Sequence, residues 1–200
     1  MWKVDMISKM NFKEALIKSR IVPAVKHLED LTEVLNIPGV SVVILIGGDI
    51  NDLEGVLKVR SRYPEKSLLA HVDLIEGIGK DEAGMRYLKR LGLEGVVSVK
   101  WQLLRYAKEN NLLTVQRLFL VDSEAIRTGL KVIKKVTPDA IEILPATVPK
   151  FAIEEFLKVT DLSILGGGLL RTAEDVHTAL NNGLTAVTAS RRNLWKLRLT

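Results

Sequence analysis

LSILGGGLLRTAEDVHTALNNGLTAVTAS, residues 162–190, is the stretch whose reading decides the fold. It reads as strand, glycine turn, helix and strand. Residues 162–165 are a short apolar run, which Gly166, Gly167 and Gly168 bring to an end. Thr172 offers a hydroxyl N-cap, and Glu174 and Asp175 place carboxylates in the first turn, the signature of a helix start. Ala173, Val176, Ala179 and Leu180 follow at helical spacing, Asn182-Gly183 stops the helix, and 186–188 resumes a strand pattern. Having no Cβ, the glycines let backbone N–H groups approach an anion and take positive φ. In an eight-fold βα barrel the loops after strands seven and eight are the usual phosphate site. A tight turn without a ligand is the competing reading, and the glycines alone do not separate the two.

Working outward, the same alternation runs through the whole chain. Strands are predicted over 21–25, 41–46, 68–74, 95–99, 112–118 and 140–144, ahead of the two in the opening stretch. Helices are predicted over 28–35, 49–60, 80–90, 103–109, 122–136, 153–159 and 192–199. Strands alternating with helices imply a parallel sheet with helical crossovers. Eight such units predict a closed (β/α)8 TIM-type barrel with a phosphate site at the C-terminal ends of strands seven and eight. An open doubly wound sheet would more often carry a glycine fingerprint after strand one, and none is present. The 200 residues suit one domain, 1–200, with 1–20 as an N-terminal extension and a core of 21–197.

Composition narrows the function class. There is no cysteine, so there is no disulfide framework and no thiolate metal site. No apolar run reaches the ~18–20 residues that span a bilayer, and the first residues do not read as a signal peptide. A cytoplasmic protein without a membrane partner is expected. The net charge of +5 admits nucleic acid or anionic ligands as partners. An aromatic fraction of 5% argues against an aromatic platform for single-stranded RNA.

Parallel strands covered by helices turn their polar side chains into the barrel. The period of two groups His71 with Asp73, Ser98 with Lys100, Thr114 with Gln116, and Thr188 with Ser190, and Glu142 stands between Ile141 and Ile143. These residues are expected to converge on the axis, mostly toward the C-terminal mouth. Arg117 has the opposite parity to Gln116 and is expected on the rim or at a bulge. Each has a structural alternative as a satisfied core residue. The three histidines are scattered and no ligand spacing points to a metal. Arg191, Arg192, Lys196 and Arg198 form the densest basic group, open to a ligand, to an RNA backbone or simply to solvent. Trp195 is expected to anchor that last helix.

At these residues a resemblance enters. HVDLIEGIGKDEAG (71–84), QRLFLVDS (116–123), IEILPATVPK (141–150), GGGLLRTAEDV (166–176) and TASRRNLW (188–195), in that order, resemble the glycerol-3-phosphate-responsive antiterminator family. The resemblance covers roughly residues 21–197. It implies a barrel acting as a bacterial regulator that binds glycerol 3-phosphate and the leader mRNA of glycerol-uptake operons, preventing premature termination. It places His71, Asp73, Gln116, Arg117 and Glu142 in family motifs, and gives Gly166–Gly168 and Thr188, Ala189 and Ser190 the phosphate-loop positions. Lys100, Arg117 or Arg191 would supply positive charge. Ala146 departs from the family's Leu-Pro-Gly, Ala189 from a hydroxyl residue, and Gly47-Gly48 from a more polar end to strand two. No cofactor, catalytic residue or metal is expected, and homo-oligomerisation stays open. The rival is a phosphate-binding barrel enzyme, an isomerase, aldolase or synthase, with Asp73 or Glu142 as base and Lys100 as acid or electrophile. A third reading is a catalytically inactive barrel acting through protein partners.

Overall fold

A computed structural model describes residues 9–197 and 199. In chain order the elements are α1 (Lys9–Ser19), β1 (Ile21–Val25), α2 (Leu28–Leu35), β2 (Val42–Leu45), α3 (Ile50–Arg60), β3 (Ser67–His71), α4 (Glu82–Leu91), β4 (Gly95–Ser98) and α5 (Trp101–Glu109). There follow β5 (Leu113–Phe119), α6 (Ser123–Val136), β6 (Ala140–Leu144), α7 (Lys150–Leu157), β7 (Ser163–Gly167), α8 (Ala173–Asn181), β8 (Ala186–Ala189) and α9 (Arg192–Trp195). The eight strands pair in sequence order, all parallel, and β1 closes on β8 through Ile21↔Val187 and Val22↔Thr188. This is the (β/α)8 barrel that the alternation predicts.

Local chemistry starts the helices where the strands end. Asp49 and Asp52 form a capping box at α3, and Thr172 and Asp175 form another at α8. Asp81 and Asp122 cap α4 and α6 by accepting from Gly84 N and Ala125 N at 2.8 Å each. Such caps each contribute about 1 kcal/mol.

Two apolar shells hold the barrel. The outer one packs strand residues such as Val43, Leu68, Val96, Ile141 and Val187 against the helices. The inner one joins Val22, Ile44, Leu69, Val97, Val115, Ala140, Leu165 and Ala186 with Phe12 and Leu16 of α1. Residues 9–19, expected as part of an extension, thus belong to the core, because α1 inserts two large side chains into the barrel interior. Burying side chains of this size contributes on the order of 2–3 kcal/mol each.

Two strand ends and one helix differ from expectation. The third strand stops at His71, and Val72–Leu74 forms a 3-10 turn, so Asp73 is not a strand residue. The seventh strand continues through Gly167, so Gly166 and Gly167 lie in the sheet and only Gly168 turns. The last helix covers four residues only, Arg192–Trp195.

Candidate functional site

The polar centre of the barrel is one layer above its apolar plug. His71, Arg117, Glu142, Gly167 and Thr188 each stand two residues beyond an inner-shell residue, namely Leu69, Val115, Ala140, Leu165 and Ala186. With a side-chain period of two, all five face inward, toward the C-terminal mouth. Arg117 Nε donates to Glu142 Oε2 at 2.7 Å, and Thr188 Oγ1 donates to Glu142 Oε1 at 2.5 Å. Glu142 is fully buried, and these two bonds are what make its charge tolerable there. Gly167 pairs with Thr188 in register, and a Cβ on Gly167 would collide with Thr188 Oγ1 and lie 2.9 Å from Glu142 Oε1. The glycine in strand seven is required by this contact.

His71 faces the same space. It is 4% exposed, yet neither ring nitrogen has a hydrogen-bond partner. Its Nε2 lies 3.8 Å from Asp73 Oδ2, too far for a hydrogen bond. Burial pushes its pKa down from the usual 6.5 to about 4, the Arg117 charge pushes the same way, and Asp73 opposes both. The imidazole is therefore neutral at physiological pH, one nitrogen a donor and the other an acceptor. Asp73 accepts from Val99 N at 2.9 Å through Oδ2, while its Oδ1 is buried without a partner. Buried polar atoms left open in this way call for a partner that the surrounding side chains do not supply.

Several expected residues fall elsewhere. Thr114, Gln116 and Ser98 point away from the axis, since their outward neighbours Val96 and Leu118 belong to the outer shell. Thr114 Oγ1 donates to Asp139 Oδ2 at 2.8 Å, and the amide of Gln116 donates to the carbonyls of Ser98, Val99 and Arg117. Arg117, expected on the rim, is the residue that enters the barrel; no bulge is involved. Lys100 is exposed at the N-cap of α5 and takes no part in the inner cluster. Gly166 faces outward, where a Cβ would meet Leu184 and lie 3.0 Å from the Ala146 methyl, so it makes room for both side chains.

The rim beside this cluster is formed by the ends of β7 and β8. Gly168 and Leu169 take φ of 74° and 59° in succession. For leucine that is a strained backbone, and Leu169 is also 66% exposed, so no packing explains it. Ala189 is buried and its carbonyl accepts from Trp195 Nε1 at 2.7 Å; Ser190 and Arg191 are exposed beside it. Trp195 thus anchors the last helix, as expected. Arg192 pairs with Asp30 and Lys196 with Glu33 at 2.8 Å, both on α2, so these two cations are engaged within the fold. Arg198 lies outside the described residues.

Lys80 was missed by the sequence reading, although it sits within the 71–84 motif. Its Nζ donates to the carbonyls of Val72 and Ile75, the latter at 2.6 Å, and burial holds its pKa below the usual lysine value. It buttresses the turn that carries Asp73. A cavity of about 700 Å³ lies at the start of β1, among Lys18, Arg20, Pro38 and Trp195, and no member of the polar cluster lines it. At the mouth it is the open atoms of His71 and Asp73, and not cavity volume, that draw attention. Among the described residues no three His, Asp or Glu side chains gather as metal ligands, and no helix is long and apolar enough to cross a membrane.

Known proteins carry the same barrel. A glycerol uptake operon antiterminator regulatory protein from Listeria monocytogenes is 28% identical, with 89% of this chain and 95% of that one covered and a TM-score of 0.80. A glycerol uptake operon antiterminator-related protein from Thermotoga maritima is 27% identical over 88% and 98%, with a TM-score of 0.77. The uncharacterized protein YgcP of Escherichia coli is 30% identical over 78% of this chain and 81% of that protein. Aldolase barrels at 10% identity share the fold alone. Residues 21–195 match the family model described as glycerol-3-phosphate responsive antiterminator, and this span contains the eight barrel strands β1–β8 and the whole inner polar cluster. The chain belongs to the glycerol-3-phosphate responsive antiterminator family.

Proposed function

We propose that this chain is a transcription antiterminator that binds leader mRNA of glycerol-uptake genes in response to glycerol 3-phosphate, taken up at the C-terminal mouth of the barrel. The observation that carries the reading is His71, buried and neutral with two unpartnered nitrogens, beside the open Oδ1 of Asp73. A neutral imidazole and a carboxylate suit the hydroxyl groups of a small polyol. The phosphate is assigned to the backbone amides at Gly168, Leu169 and Ser190, on the rim where the positive φ of Gly168 and Leu169 turns the chain out of β7. Arg117 is held by Glu142, so its charge reaches the ligand only at long range.

The effector shifts RNA binding only by contacting the RNA-competent and incompetent states differently. The first test is an NMR titration of the histidine ring signals with glycerol 3-phosphate. Binding is expected to move the His71 resonances and raise its pKa, because the added anion favours imidazolium. Glycerol 3-phosphate leaving the His71 signals unmoved would place the effector elsewhere.

A second reading, an enzyme acting on a small phosphorylated metabolite, is favoured by the same neutral His71 beside Asp73, which has the form of an acid–base pair. Turnover of a triose or pentose phosphate that is lost in Asp73→Asn would establish it.

A further inference from the structure

Charge is unevenly spread over the barrel. Residues 80–136 hold twelve Lys and Arg against six Asp and Glu, whereas the rest of the chain holds 17 against 18. The excess is largest on α6, where four cations stand against Glu124 alone. Arg127, Lys131, Lys134 and Lys135 recur at helical spacing and are all exposed. Lys131 and Lys134 make no ion pair among the described residues, and Arg127 is paired with Glu124. Lys135 Nζ lies 5.3 Å from the ring centre of Trp101 on α5, and Arg105 lies 5.1 Å over Tyr106. On the other side of the barrel, α2 and α8 begin with Glu29 and Asp30, and with Glu174 and Asp175.

At the mouth end of this basic face is a notch of about 420 Å³, whose lining includes Val99, Leu118, Phe119 and Gln116 together with the carboxylates of Asp122 and Glu124. Phe119 is 57% exposed, unusual for a ring of its size. Gln116 gives the notch its polar wall. Three carbonyls surround its amide nitrogen at 3.0–3.3 Å, which fixes the orientation of the group, and its buried Oε1 has no partner. Gly129 keeps the floor open, since a Cβ there would lie 3.0 Å from Leu118 and from Phe156. An exposed ring among apolar side chains, with hydrogen-bond acceptors in the lining and a row of lysines beside it, matches an unpaired nucleobase with an amino group on a charged backbone.

We infer that single-stranded RNA docks along α5 and α6, its phosphates on Lys131, Lys134 and Lys135 and one unpaired base in the notch beside Phe119. This rests on the reading of the chain as an antiterminator. Strand β5 joins the RNA face to the effector site directly: Arg117 points to Glu142 inside the barrel, while Gln116 and Leu118 on either side of it form the notch. A change of ligand state at the mouth therefore has a one-residue route to the RNA surface. The sequence leaves Arg191, Arg192, Lys196 and Arg198 open to a ligand, an RNA backbone or solvent; the structure commits Arg192 and Lys196 to α2.

The test is fluorescence anisotropy of a labelled glycerol-operon leader RNA at two salt concentrations. It uses the wild type, Lys131→Ala/Lys134→Ala/Lys135→Ala, and Phe119→Ala. The triple variant is expected to bind at least about tenfold more weakly, with a salt slope shallower by about 2, as three lost phosphate contacts require. Phe119→Ala is expected to lose affinity with the slope unchanged. In both, the thermal shift caused by glycerol 3-phosphate is expected to stay as in the wild type. Wild-type RNA affinity in both variants overturns the assignment of the surface and leaves the antiterminator reading standing. Absence of RNA binding by the wild type overturns both. Binding of anionic vesicles in place of RNA overturns the choice of partner.

Discussion

Thr188 Oγ1 donates to Glu142 Oε1 at 2.5 Å directly over the bare Cα of Gly167. Two strands supply the hydrogen bond and the strand between them supplies the space for it. Gly167→Ala is accordingly expected to destabilise the protein by about 1–3 kcal/mol, because the methyl group displaces the threonine hydroxyl and leaves Glu142 short of a partner. In Gly167→Ala/Thr188→Ala the two costs are expected to fall below their sum, as thermal unfolding of the four proteins in the cycle would show.

Arg117 and Glu142 form a buried ion pair with side-chain exposures of 12% and 0%. Arg117→Met strands the carboxylate and is expected to cost about 3–5 kcal/mol. Arg117→Met/Glu142→Leu removes both charges and is expected to recover much of that loss. Urea unfolding of the single and double variants decides the matter; a double variant no more stable than the single would mean that the ion pair is not what Arg117 contributes.

His71 gives the protein a defined acid sensitivity. Its pKa in the folded state is about 4, against 6.5 for the free side chain. Between these values the unfolded chain binds a proton that the folded protein refuses. Stability from this residue is therefore full above about pH 6.5 and falls as the pH drops toward 4, by up to about 3 kcal/mol. His71→Gln is expected to flatten the dependence of the unfolding midpoint on pH in that window. An unchanged profile would show that other groups set the acid limit.

Trp195 Nε1 donates to the carbonyl of Ala189, tying α9 to the end of β8. Trp195→Phe leaves that carbonyl unsatisfied and is expected to cost about 1–2 kcal/mol. Hydrogen exchange is expected to quicken in residues 189–196 and to stay as it was in β1–β6. Uniform loosening of the barrel would contradict a local role.

The architecture was legible because it repeats. Apolar runs and capped helices alternate eight times, and caps such as Thr172 and Asp122 are local chemistry that a sequence displays. The inward side of a strand is harder to read where both faces carry polar residues. On β5, Thr114 and Gln116 look like lumen residues, yet both make their hydrogen bonds outside the barrel, Thr114 with Asp139 and the Gln116 amide nitrogen with backbone carbonyls, so Arg117, between Gln116 and Leu118, faces the axis. Gly166 and Gly167 read as a turn because glycine has no side chain to announce a strand; the reason they extend β7 lies in Leu184, Thr188 and Glu142, distant in sequence. The cations of α9 likewise look free until α2 brings Asp30 and Glu33 beside them. Position in the chain points to the C-terminal mouth of the barrel, and tertiary contacts decide which residues face it.

The most direct measurement is the affinity of the glycerol-operon leader RNA for the wild-type protein, titrated with and without saturating glycerol 3-phosphate at fixed salt. An antiterminator whose barrel mouth senses the effector predicts a change in RNA affinity of about 5–150-fold, the range of ordinary coupling between two sites. The RNA is expected to change the affinity for glycerol 3-phosphate by the same factor. An RNA affinity that is identical with and without the effector would contradict the account.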